Sequence, residues 1–169
     1  MKTRESKIEN NCSELDAAKN YSEIWQIVKN TVKDYLGEYR AGMMLFLDDL
    51  SLSLGAYYPV GTNNIVLNRR LVELAKATIK SKQKINAFTY SLLAHEYLHA
   101  IGYLKEIEVR QLVYRICQEC FGQNHITTEL ARKNPWIIFN KNIINNLSSQ
   151  KAPIEVVKDF EKNNQDYIV

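Results

Sequence analysis

Cysteine and histidine are both scarce, with three of each in 169 residues. An odd number of cysteines argues against a closed disulfide framework. Cys117 and Cys120 have C-x-x-C spacing but fall in the middle of a helical stretch. A redox pair belongs at a helix N-terminus, where the thiolate is stabilised, so these two are expected to be packing residues. Long apolar runs are missing as well. None approaches the roughly 20 residues needed to span a bilayer. The opening Met1-Lys2-Thr3-Arg4-Glu5 leads into no apolar stretch of the kind a signal peptide carries. The expectation is a cytoplasmic protein with no membrane partner. Nor does one sign of charge dominate: 22 Lys and Arg against 19 Asp and Glu leave +3. The one basic cluster, Lys80-Ser81-Lys82-Gln83-Lys84, reads as a solvated loop, so nucleic acid is not an expected partner.

What remains is ordinary for a globular chain, with 46% hydrophobic and 24% charged residues. The length suits one domain spanning 1–169, with its core at about 13–140. Helical spacing runs from Ser13-Glu14 to Gly37 through Leu15, Ala18, Trp25, Val28, Val32 and Leu36. Strands are expected at Gly42 to Leu47, Leu54 to Val60 and Ile65 to Leu67. Asn68 can cap a helix from Arg69 to about Ile79. Further helices are expected from Ile85 to Ile101, stopped by Gly102, from Lys105 to Phe121, stopped by Gly122, and from His125 to Lys133, with His125 itself exposed. Asn134-Pro135 breaks the pattern, and Trp136 to Phe139 is an apolar anchor. The segment 141–169 is expected to be mobile, with a last helix from Pro153 to about Lys162 that either covers a cleft or completes the core. Strands first and helices after make an α+β arrangement.

Two of the three histidines stand in His95-Glu96-Tyr97-Leu98-His99. On a helix, residues four apart lie one above the other, so both imidazoles can reach one metal ion. The surrounding Phe88, Tyr90, Leu92, Leu93, Ala94, Tyr97 and Leu98 make this helix buried on most of its circumference. Two histidines and a glutamate buried there without partners would cost several kcal/mol, and a metal satisfies all three.

With this motif the chain resembles the zincin metallopeptidases over roughly residues 42 to 121. It looks most like the small single-domain gluzincin-like peptidases of prokaryotes. The resemblance implies a zincin-like α+β fold: a small N-terminal mixed sheet with an edge strand, a backing helix, the motif helix and further helices C-terminal to it. It implies one Zn2+ per chain on His95, His99 and a third protein ligand, with Glu96 as general base on a zinc-bound water. The substrate would be a peptide or unfolded protein, paired as an added strand along the edge strand Asn64-Ile65-Val66-Leu67.

Metzincins continue as His-x-x-Gly-x-x-His. Here Gly102 is in place but Lys105 stands where the last His would be, and Glu106 follows. Gluzincins take a Glu from the next helix. Glu106 begins that helix just after the Gly102 turn and is the expected third ligand. Glu108 lies about 200° further around it and remains the alternative. Tyr103, Tyr57 and Tyr58 are candidate oxyanion donors. Arg110 is a candidate to orient a carboxylate ligand or to bind a substrate carboxylate.

Two rival readings stand beside the peptidase. His95, His99, Gly102 and Tyr103 also resemble the motif of metal-dependent endoribonucleases of ribosomal RNA maturation. That motif has Gly after the first His and ends in Asp-His, where this chain has Glu96, Leu104 and Lys105. The other rival is a non-catalytic zincin-fold binding protein, against which an intact Glu96 argues.

Overall fold

The helical spacing between Ser13 and Gly37 divides into two helices in the computed structural model, which describes residues 2–139 and 151–161. Helix α1 covers Arg4–Ala17 and α2 covers Tyr21–Leu36. Side chains mark the break: Asn20 accepts the Glu23 N–H at 2.9 Å, and the Glu23 carboxylate reaches back to the Lys19 N–H at 2.6 Å. This reciprocal cap starts a new helix. Helix α1 begins well before Ser13, capped by Thr3. Only Leu15 of it is fully buried, so its early turns carry no apolar stripe for a periodicity argument to find. Helix α2 buries Ile24, Trp25, Ile27, Val28 and Val32 and closes on Gly37 in the left-handed region, at φ 73°.

Among the described residues the sheet has four strands: β1 (Met44–Asp48), β2 (Ala56–Tyr57), β3 (Asn64–Asn68) and β4 (Glu155–Val156). Their order is β2-β3-β1-β4. Strands β1 and β3 are parallel, with Leu45 opposite Ile65 and Leu47 opposite Leu67; β2 and β4 run antiparallel to their neighbours. The sheet is therefore small and mixed, as expected, but its edge is not the expected one. Asn64, Ile65, Val66 and Leu67 belong to an inner strand, covered by β2 through the pairs Ala56–Leu67 and Tyr57–Val66. The buried run Ile65, Val66 and Leu67 marks a strand packed on both faces, but its place inside the sheet is set by the lateral pairing with β2. The edge is β2, shorter than the span Leu54 to Val60. The Leu54 N–H is turned into the Ser51 carbonyl, and Pro59 has no N–H to donate.

The C-terminal segment also departs from expectation. Residues 140–150 and 162–169 lie outside the described residues, including most of the stretch expected to be mobile. Among the described residues no helix follows Pro153. Glu155 and Val156 pair with β1, and the chain then docks on α2. Phe160 stacks on Trp25 at 4.7 Å. Glu161 accepts from Trp25 Nε1 at 3.0 Å and from the Gly42 N–H at 2.8 Å, with the buried Lys29 ammonium 3.8 Å away. Alternating pairing on a sheet edge satisfies this backbone better than a short helix with few internal bonds. Strand β4 sits at the opposite sheet edge from β2. Truncation after Ser148 should therefore destabilise the protein, by about 3–5 kcal/mol, because it strands a buried Lys29 charge and uncovers Trp25. Chemical denaturation checks this; a stable truncated protein with raised activity would restore the idea of an inhibitory cover.

Helix α3 (Arg69–Thr78) is capped by Asn68, whose fully buried side chain does more than cap. Its Oδ1 accepts from the Arg70 and Leu50 N–H groups, and its Nδ2 donates to the carbonyls of Leu50, Ser51 and Leu54. The loop leading into β2 is thereby fixed. Helix α4 (Lys82–Ile101) runs through the middle of the molecule, packed against α1, α2 and α3, the strands β2 and β3, and the two helices that follow, α5 (Glu106–Phe121) and α6 (Ile126–Arg132). A short 3-10 turn, Pro135–Ile138, ends this part of the chain. Cys117 and Cys120 are buried packing residues of α5. Among the described residues no helix is long and apolar enough to cross a membrane.

Candidate metal centre and cleft

Gly102 sets the geometry of the site. At φ 123° it adopts a backbone conformation that side-chain-bearing residues avoid. Its N–H bonds the His99 carbonyl at 3.0 Å, and the next N–H, of Tyr103, reaches back to the Leu98 carbonyl at 3.1 Å. This double closure ends α4 and reverses the chain. Two consequences follow. The Tyr103 carbonyl comes within 2.7 Å of His99 Nδ1, and α5 starts at Glu106 facing the turn just left.

His95, His99 and Glu106 converge. Glu106 Oε2 is 3.1 Å from His95 Nε2, Glu106 Oε1 is 2.9 Å from His99 Nε2, and the two imidazole Nε2 atoms are 3.2 Å apart. This is the set of donors among the described residues that can hold a metal ion. The proton count sharpens the point. His99 Nδ1 donates to the Tyr103 carbonyl, so in the neutral ring Nε2 carries a lone pair. Even if His95 Nε2 donates to Glu106, the His99–Glu106 contact still sets two acceptors 2.9 Å apart. A cation or an extra proton between them is what the arrangement requires.

Glu96 points elsewhere from α4, as its position one residue after His95 dictates. It is 7% exposed, and burial pushes its carboxyl up to about 7, with Glu106 adding to the rise. The neighbouring His99 and the Tyr58 N–H, which donates to the carboxylate, work against that rise. Burial also lowers the pKa of His95; the Glu106 carboxylate opposes it, while His99 and the Arg110 charge reinforce it.

The remaining candidates separate. The Tyr103 hydroxyl donates to Glu38, so the residue serves His99 through its carbonyl rather than offering its hydroxyl to a substrate. The Tyr58 hydroxyl is engaged with Arg40 and the Thr62 carbonyl. Tyr57 is exposed on β2. Arg110 forms no hydrogen bond or ion pair with Glu106 or any other described residue, so it does not orient the carboxylate. His125 is not in an exposed loop. It caps α6, its ring stacks on Phe121, and its Nε2 is 3.1 Å from Asp16 Oδ1.

Sequence reasoning missed Arg40. Its guanidinium donates to the Ala100 carbonyl at the end of α4, to the Tyr58 hydroxyl, to the Thr62 carbonyl and to Asn63 Oδ1. It ties the motif helix to the β2–β3 connection. Nothing local announces this, because its partners lie 18 to 60 residues away.

His95, Glu96 and Glu106 border a cleft of about 710 Å3, which is also lined by Leu54, Gly55 and Ala56 at the entry to β2 and by the stretch from Lys133 to Trp136 packed against them. Gly55 leaves room for its neighbours: a Cβ there would lie 2.5 Å from Leu92 Cδ2 and 2.8 Å from the Trp136 ring, so one of them would have to shift. Trp136 is held by its Nε1, which donates to the Leu52 carbonyl at 2.9 Å. No match to this chain was found among protein families, curated proteins or solved structures.

Proposed function

We propose that this protein is a zinc-dependent hydrolase of peptide bonds that acts on peptides or unfolded protein. One observation carries the reading: three metal-type donors meet beside a buried carboxylate, on the wall of a cleft that a strand edge borders. The donor set suits zinc. Two imidazole nitrogens and a carboxylate, with donor atoms 2.9–3.2 Å apart, are the ligand types that ion takes. Two neutral imidazoles and one carboxylate would leave a fourth position for the reaction. His95, His99 and Glu106 would hold the ion, which supplies a Lewis acid for the scissile carbonyl and acidifies water.

The chain's own residues do the rest. The Tyr103 carbonyl fixes the His99 tautomer and keeps Nε2 free as a donor. Glu96, with its proton affinity raised by burial, takes a proton from the attacking water and returns it to the leaving amine. The Tyr58 N–H favours the charged form of that carboxylate. An extended substrate adds to the outer edge of β2, the strand beside the cleft. The endoribonuclease reading needs an imidazole at Lys105 or thereabouts, and here Glu106 closes the donor set instead.

The test is metal content together with cleavage of a reduced, alkylated protein. Wild type should carry one zinc per chain, lose activity to a chelator and regain it with zinc. The double variant His95→Ala, His99→Ala should be zinc-free by elemental analysis. Stoichiometric zinc in that variant would sink the assignment.

A further inference from the structure

The cleft has a mixed wall, with Leu92, Val113, Ala131, Pro135 and Trp136 supplying its apolar part. Its charged groups are uneven. Glu106 is committed to the two imidazoles, and Glu96 is buried. Lys133 is paired with Glu129 at 3.0 Å. Arg110 is exposed and makes no hydrogen bond or ion pair with a described residue. It shares one helical stripe with Glu106 and Val113, so it sits one turn beyond the donor cluster on the cleft side of α5. Its positive field reaches His95. A metal ion would make the cleft more positive still.

We propose that this cleft seats a substrate residue next to the scissile bond and that Arg110 recognises a carboxylate there. The inference rests on the peptidase reading for what occupies the cleft. A guanidinium fork matches a carboxylate with two parallel hydrogen bonds, and a carboxamide cannot return the same charge. The carboxylate comes either from an Asp or Glu side chain or from the C-terminus of a short peptide. The apolar wall takes the methylene or side-chain carbons that accompany it.

Trp136 reports binding without turnover. It is one of two tryptophans, and the other, Trp25, is fully buried away from solvent. Zinc-loaded Glu96→Gln protein is titrated with two matched pairs of peptides while tryptophan emission is followed. The first pair is a blocked, amidated hexapeptide with central Glu or Gln. The second is an acetylated tripeptide ending in Leu, as free acid or amide. The acid of at least one pair should bind about 10- to 100-fold more tightly than its neutral twin. The first pair identifies a side-chain carboxylate, the second a terminal one. In Arg110→Gln the ratio should fall to near one, and in Arg110→Glu it should invert. Each ratio is internal to one variant, so a general loss of affinity does not imitate it. Equal binding within both pairs, or a ratio that survives Arg110→Gln, overturns the inference. Hydrolysis of neutral peptides by wild type with no preference for acids overturns it too while leaving the peptidase reading intact. Arg110-dependent binding of acids with no hydrolysis by wild type supports carboxylate recognition and removes the peptidase reading.

Discussion

Glu96→Gln should keep its zinc and lose hydrolysis by about 10²–10⁴-fold, the range a positioned general base contributes. The amide has the shape of the carboxylate and can still accept from the Tyr58 N–H. It cannot take a proton from water. The stability of the variant makes a second, independent reading. Burial is the main cause of the raised Glu96 pKa, so the carboxylate is held at a cost to the fold. Removing the charge while keeping the volume should leave the thermal midpoint unchanged or raise it, as is common where a residue is kept for function. The two measurements together distinguish a catalytic base from a structural carboxylate: a structural one would lower the midpoint when replaced. Hydrolysis at the wild-type rate by a zinc-loaded variant rules out the base role. If wild type cleaves no polypeptide, the non-catalytic binding protein becomes the better reading.

The motif helix and its end were legible because their signals are local. The i, i+4 histidines, the apolar surroundings and the Gly102 stop all lie within about four turns of one helix. The same is true of Asn68 as a cap and of Glu106 at the head of the next helix. Local signals were also present where they were overlooked. Asn20 and Glu23 form a capping pair that divides the first helical stretch, and its spacing is readable in the sequence. What was not legible depends on pairing at long range. Whether β3 is an edge or an inner strand is decided by β2, which is only two residues long and shows no alternation to read. The C-terminal strand forms because β1 offers an open side, and the residues of β4 are exposed, so they carry no apolar pattern. Arg40 and the Tyr103 carbonyl belong to the same class. Arg40 acts across the fold, and a backbone carbonyl has no residue type to recognise.

Zinc affinity should fall far more for Glu106→Ala than for Glu108→Ala. Glu106 places one oxygen 3.1 Å from His95 Nε2 and the other 2.9 Å from His99 Nε2, whereas Glu108 is outside the donor cluster. Both residues lie in the first turn of α5, where either carboxylate is favoured by the helix dipole. Loss of either should therefore cost the helix a similar few tenths to about 1 kcal/mol, and stability does not separate them. Affinity does. Removing a direct ligand should weaken zinc by more than the roughly 10–100-fold that loss of an outer-shell partner costs, and Glu108→Ala should fall below that range. Glu106→Gln is the sharper variant, because it retains the side chain and an oxygen but removes the negative charge that a dication and two neutral imidazoles need. It should weaken zinc almost as much as the alanine. A competition titration against a chromophoric chelator reads all three. The reverse order would transfer the ligand to Glu108. Equal, small effects would mean that no carboxylate of α5 is a ligand, and His125 would not replace it while its Nε2 is held 3.1 Å from Asp16.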